Sequence, residues 1–211
     1  MSENIIGIAL DELYRWFPIL NEKYYSNKLA YPVITIQKAK RSGNLAWFTL
    51  DRVWINKNEE DKEKDSKFEV NICADYLNRD IHEIIGSFHH ELVHYANKIA
   101  EIRDCNGQIH NKKFKNLAEG VGLIVTKSKK YGFGHTECSP ELIEFINEII
   151  KPNEKAFEYF RSIPQKIAKP SKERKKSQFI YICPQCEEKI KAKADKNIIC
   201  EDCGCKFEQQ E

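Results

Sequence analysis

Apolar residues recur at Leu10, Leu13, Phe17 and Leu20, three and four positions apart. That is the period of one helix face, so a helix is predicted over residues 4–25. Pro18 lies inside it, and because proline lacks the amide and crowds the preceding turn, a kink or an early end is expected there. Val33-Ile34-Thr35-Ile36 follows Tyr31-Pro32, and Leu45 to Leu50 follows Ser42-Gly43-Asn44. These β-branched and apolar runs, bounded by turn residues, predict two strands paired with each other. Phe68 to Ile72 alternates apolar and polar residues and predicts a third strand. Asn58 to Lys67 is almost entirely charged with both signs mixed, as in a solvated loop.

The strongest pattern comes next. Asp80-Ile81-His82-Glu83 has the form of a capping box, and Ile81, Ile84, Ile85, Phe88, Leu92, Ala96 and Ile99 follow at helical spacing. This is the most apolar helix of the chain and the one expected at its centre. A second helix is predicted from Asn111 to about Val125 through Phe114, Leu117 and Val121, then a glycine turn at Tyr131-Gly132-Phe133-Gly134. Ser139-Pro140-Glu141 opens a further helix, with serine as cap and proline in the first turn, and residues 153–162 allow one more short helix. No internal repeat of 20 to 50 residues is visible.

Composition adds limits. With 41% hydrophobic and 31% charged residues, the 211-residue chain is too apolar to be disordered and too charged for a membrane protein. The apolar run Ile5 to Leu10 stops at Asp11-Glu12, too short for a secretory core or a spanning helix, so a cytoplasmic protein with reduced thiols and no membrane partner is expected. The net charge of +2 is unevenly spread. Residues 164–178 hold six basic side chains and one acid, with two prolines and two serines, and read as a linker. The organisation expected is therefore a main domain at 1–163, a basic linker at 164–178 and a small module at 179–211. Lys172, Arg174, Lys175 and Lys176 are the candidate nucleic-acid contacts in that linker.

Two constellations carry chemistry. His90-Glu91-Leu92-Val93-His94, inside the central helix, is an H-E-x-x-H pattern. Residues four apart sit one turn up on nearly the same face, so both imidazoles can reach one ion, and Glu91 occupies the position of a general base. An open zinc site needs a third protein ligand. His110, behind the turn Gly107-Gln108-Ile109, is the first candidate, Glu119 the rival and His135 a third. His89 points away from the pair and is placed in a supporting or surface position. Tyr95, Tyr131 and His135 are all conceivable stabilisers of an oxyanion, and the spacing selects none of them.

The second constellation is Cys183-x2-Cys186-x13-Cys200-x2-Cys203, four thiolates in two short-spaced pairs, as suits a closed tetrahedral zinc. Cys205 is close enough in sequence to replace Cys203, although the two-residue spacing prefers Cys203. So short a module needs its metal to fold. Lys189, Lys191, Lys193 and Lys196 continue the basic character, interrupted by Glu187, Glu188, Asp195, Glu201 and Asp202.

The chain resembles the SprT-like family, the zinc metallopeptidase-type domain of bacterial SprT proteins and Spartan-type DNA-dependent proteases. The likeness rests on Asn27-Lys28-Leu29 with Pro32 and a strand, on His90-Glu91-Leu92-Val93-His94-Tyr95-Ala96, on His110-Asn111-Lys112-Lys113-Phe114, and on the terminal cysteine module. Asn111 stands where that family usually has glycine. The resemblance implies an α+β fold, a minimal zincin-like core of helices packed on a small three-stranded sheet, followed by a zinc ribbon. It implies His110 as third ligand, one catalytic and one structural zinc, and peptide-bond hydrolysis on proteins at or near DNA. The competing expectation is a non-catalytic, zinc-containing nucleic-acid-binding or transcription-associated factor.

Overall fold

A computed structural model describes residues 4–58, 60–61, 65–162 and 178–210. The chain divides into two units, residues 1–163 and 164–211. The first is mixed α+β with four α-helices, and among the described residues no helix is long and apolar enough to cross a membrane. The linker residues Lys172, Arg174, Lys175 and Lys176 lie outside the described residues.

Helix α1 spans Ile5–Tyr25, capped by Asn4, whose side chain accepts from the Gly7 amide at 3.0 Å. It continues past Pro18 without ending. Leu13, Trp16, Phe17 and Leu20 are completely buried on either side of that proline, and their packing outweighs the amide it lacks. The helix stops where Ser26 and Asn27 enter the left-handed region, and the buried Asn21 side chain clamps this turn by bonding both the carbonyl (2.8 Å) and the amide (3.2 Å) of Leu29.

Strands β1 (Val33–Gln37), β2 (Ala46–Phe48) and β3 (Glu69–Cys73) form one sheet in the order β1-β3-β2. The first two strands do not pair with each other as expected from the sequence. β3 lies between them, parallel to β1 and antiparallel to β2. The reason is burial: all five β3 residues are enclosed, with Val70 and Ile72 in the apolar core while Glu69 and Asn71 find polar partners such as Thr35. Trp54 covers part of that polar face, its indole donating to Glu69 at 2.7 Å, and bridges to Lys67 in the otherwise irregular charged segment.

Helix α2 (Ile81–Ile99) begins at Asp80, whose carboxylate accepts from the His82 amide at 2.8 Å. It packs on β2 and β3 and also against a second, four-stranded sheet that the residue pattern had not suggested. That sheet, ordered β4-β5-β7-β6, joins β4 (Cys105–Asn106), β5 (Ile109–His110), β6 (Leu123–Ser128) and β7 (Gly132–Cys138). Helix α3 (Lys112–Gly120) is shorter than predicted, because Gly122, at φ +87°, turns the chain into β6. The glycine turn expected at 131–134 lies two residues earlier, at Lys129–Tyr131, and Gly132, at φ +61°, opens β7. Helix α4 (Pro140–Phe145) is capped by Ser139, and residues 153–162 contribute only a single 3-10 turn, Glu154–Phe157.

The second unit is a three-stranded sheet of β8 (Phe179–Ile182), β9 (Lys189–Ala192) and β10 (Glu208–Gln209), ordered β10-β8-β9. Its small core is Tyr181, Phe207 and two cysteines, Cys183 and Cys200. The buried Tyr181 hydroxyl sits 2.8 Å from the Lys193 carbonyl and 2.6 Å from the Gln209 side chain, and accepts from the Lys196 amide at 2.9 Å.

In the first unit, the buried Glu12 carboxylate gathers α1 to the end of the domain, accepting from Arg15 and from the Trp16 indole (2.9 Å) and the Asn153 amide (2.7 Å). Burial pushes this carboxyl up, but those donors outweigh it and hold it below the usual glutamate range. A carboxylate lowered in the folded state adds stability above its unfolded value, and that stability is lost as pH falls through the folded one. Glu12→Gln is therefore expected to cost about 1–3 kcal/mol at neutral pH. Urea unfolding of the two proteins should give a difference that shrinks as the pH is taken below 4.

Candidate metal centres

The first centre is assembled by three elements. α2 presents His90 and His94 one turn apart, and β5 returns His110 toward them. The Nε2 atom of His110 lies 3.2 Å from that of His90 and 3.1 Å from that of His94. Three nitrogens on one tetrahedral zinc, at about 2.05 Å each, stand roughly 3.3 Å apart, so the spacing fits that ion. Phe114, fully buried on α3, forms the floor, with its ring centroid 4.7 Å from His90, 4.7 Å from His94 and 4.5 Å from His110.

The outer edges of the rings decide what the inner edges can do. His94 Nδ1 lies 2.7 Å from Asp104 Oδ2, and His110 Nδ1 lies 3.2 Å from the Tyr131 carbonyl oxygen. Both partners only accept, so both Nδ1 atoms donate; the neutral His110 ring thereby leaves its Nε2 bare, and His94 does the same in its neutral, metal-binding form. His90 Nδ1 meets the Thr136 hydroxyl at 2.9 Å, a partner that can accept as well. A cation among these nitrogens, a proton or a metal ion, satisfies them together. Burial pushes His90 well down, with its histidine neighbours adding to the effect, and burial also takes His110 to about 4, so both rings are neutral ligands. Burial lowers His94 too, but its bond to Asp104 more than offsets that.

Glycine makes room for the third ring. A Cβ on Gly134 would overlap the His110 imidazole, and one on Gly132, at φ +61°, would overlap the His110 carbonyl. Asn111 needs no glycine-like backbone: at φ −97° it caps α3, its side chain accepting from the Lys113 amide at 2.7 Å and donating to the Arg103 carbonyl at 2.9 Å.

Glu91 follows His90 on α2 and is 8% exposed, with the Phe48 amide of β2 near enough to act on its carboxyl. Burial takes its carboxyl up to about 7, with His94 and the Phe48 amide opposing. The rivals for third ligand stand elsewhere. Glu119 pairs with Lys115 on the surface of α3, and His135 with Glu137 on β7. His89 is not a surface residue: it is fully buried, its ring 3.0 Å from the Val121 carbonyl. The Tyr95 hydroxyl is committed to the Ala30 carbonyl at 2.9 Å, leaving it no part in the centre. Asp104 and Thr136 were missed from the sequence. Asp104, six residues before His110 and itself bonded by Asn97 (3.1 Å), was the findable one, since a metal-bound histidine wants an acceptor on its far nitrogen.

The second centre is the cysteine cluster. The sulfurs of Cys183, Cys186, Cys200 and Cys203 all lie within 4.8 Å of one another and could hold a metal ion. Cys186 and Cys200 stand 3.7 Å apart, against about 3.8 Å for two thiolates on a tetrahedral zinc. The Cys186 amide, 3.5 Å from the Cys183 sulfur, holds that thiol down to about 6. Comparison of the chain with protein-family models, with curated proteins and with solved structures finds no match.

Two outcomes follow from this geometry. Asp104→Asn should weaken zinc binding at the histidine centre by about 10–100-fold, and Gly134→Ala should weaken it at least as much, as read by competition with a chromophoric chelator. Cys200→Ser should remove the ribbon's metal and unfold residues 179–210 while the histidine centre stays loaded, measured by metal count and limited proteolysis.

Proposed function

We propose that the first unit is a zinc-dependent endopeptidase of SprT-like type, with a zincin-like core, and that the second is a zinc ribbon that brings it to its substrates, proteins at or near DNA. The observation that carries the reading is the placement of a buried carboxylate, Glu91, beside three converging imidazole nitrogens. A site that only stabilised the fold would have no use for it.

Zinc held by His90, His94 and His110 would supply Lewis acidity toward a peptide carbonyl and toward water. Glu91 takes the proton from the attacking water onto its carboxylate and passes it to the leaving amine nitrogen. Asp104, Thr136 and the Tyr131 carbonyl hold the three rings in the orientation that this requires. β2 is an edge strand of its sheet, and its Phe48 amide is near enough to Glu91 to act on its carboxyl, so a peptide lying along that edge would bring its backbone to the centre. On the ribbon, Lys189 and Lys191 are exposed on alternate positions of β9, which suits contact with phosphates.

Glu91→Gln is expected to keep two zincs per chain and the wild-type fold while lowering cleavage of an unfolded protein substrate by about 10²–10⁴-fold, with and without single- or double-stranded DNA. Equal inertness of both proteins under every condition would favour the non-catalytic nucleic-acid-binding factor instead.

A further inference from the structure

The ribbon carries one thiol more than a tetrahedral site takes, and its position follows from the fold. The two metal-binding turns repeat each other. Glu187 and Gly204 both adopt positive φ, at 58° and 66°, and their amides bond back to the carbonyls of Cys183 and Cys200, each at 2.9 Å. The Cys183 amide reaches the Glu188 carbonyl at 3.0 Å, and the Cys200 amide reaches the Cys205 carbonyl at 2.8 Å. Residues 188 and 205 are therefore equivalent, and each lies against the first cysteine of the opposite turn: Glu188 beside Cys200, and Cys205 beside Cys183. One of these positions holds a carboxylate, which forms no bond to sulfur. The other holds a thiol.

The Cys183 and Cys205 sulfurs are 3.3 Å apart, closer than the 3.7 Å between Cys186 and Cys200. Two sulfurs bound to one zinc need about 3.8 Å, whereas a disulfide needs about 2.05 Å, so this pair already stands inside ligand spacing on the way to a bond. Cys183 is fully buried, while Cys205 retains partial exposure. Within this pair Cys205 is the reachable thiol and Cys183 the buried ligand; elsewhere in the cluster Cys186 is exposed and Cys203 partly so, and it is the 3.3 Å spacing that singles out Cys205.

We propose that Cys183 and Cys205 form a reversible disulfide under hydroperoxide, expelling the ribbon's metal ion. The inference rests on the ribbon holding zinc through Cys183, Cys186, Cys200 and Cys203. The Cys205 thiolate attacks the peroxide oxygen, the O–O bond breaks, and the departing alkoxide or hydroxide takes up a proton, leaving Cys205 as a sulfenic acid. The Cys183 thiolate then attacks the Cys205 sulfur, its bond to the metal breaks, and hydroxide leaves as water after taking up a proton. Two thiols are oxidised and one hydroperoxide is reduced to an alcohol (or water) and water. Three remaining thiolates hold the ion weakly, and a dithiol reductant reverses the bond. The ribbon would thereby lose its fold, and with it the contacts it makes, under oxidative stress.

The test uses the full zinc-loaded chain treated with hydrogen peroxide, with released zinc followed by a chromophoric chelator and disulfides mapped by mass spectrometry. Expected are one zinc released, a Cys183–Cys205 cross-link, and recovery with dithiothreitol and zinc. Cys205→Ser and Cys205→Ala should each retain the ribbon's zinc as purified and release it roughly tenfold more slowly. Cross-links confined to Cys183–Cys186 or Cys200–Cys203, or an unchanged release rate in both variants, overturn the proposal. Loss of zinc from both variants as purified also overturns it, by making Cys205 a ligand. A wild-type ribbon that holds no zinc yet still forms the 183–205 bond overturns the metal reading and leaves the thiol pair standing.

Discussion

His94 and His110 bring their Nε2 atoms within 3.1 Å of one another, and a carboxylate and a backbone carbonyl hold their far nitrogens, so the inner edges are presented to a shared cation, a proton or a metal ion. Much of the first unit exists to keep that arrangement. Phe114 blocks the rings from below, Gly132 and Gly134 let β7 pass close behind His110, and Asn111 caps α3 so that Phe114 points inward. Oriented imidazoles in a half-buried site, two of them held neutral by burial, suit a divalent ion with nitrogen preference.

Helix α2 connects this centre to the rest of the domain. One side carries Ile84, Ile85, Phe88 and Leu92 into the core shared with α1 and the three-stranded sheet. Another carries His90 and His94 toward the four-stranded sheet, where Gly86 lets Cys138 of β7 approach and donate to the His82 carbonyl at 3.3 Å. The apolar packing thus sets the rotation of the helix, and the rotation sets where the histidines point. Fold stability and site geometry are carried by the same nineteen residues. The second unit works on a different scale: its core is two aromatic rings and two cysteines with a few partly buried apolar residues packed against them, the size of core that a metal held by its cysteines would supplement.

The residue pattern alone sufficed for whatever depends on near neighbours along the chain. The H-E-x-x-H turn, the Asp80 and Ser139 caps and the two C-x2-C pairs are local chemistry, because helical period and short spacing place those side chains whatever surrounds them. His110 was within reach of the same reasoning, since a chain reversal twenty residues after His90 was demanded by ligand count. Tertiary structure decided the rest. That β3 enters between β1 and β2, that Pro18 is tolerated, and that Gly132 and Gly134 serve a strand instead of a turn all depend on partners distant in sequence. Asp104 and Thr136 acquire a role only when folding brings them to the backs of His94 and His90, and Cys205 only when two repeated turns face one another. Periodicity reports which face of an element is apolar; it carries no record of what that face will meet.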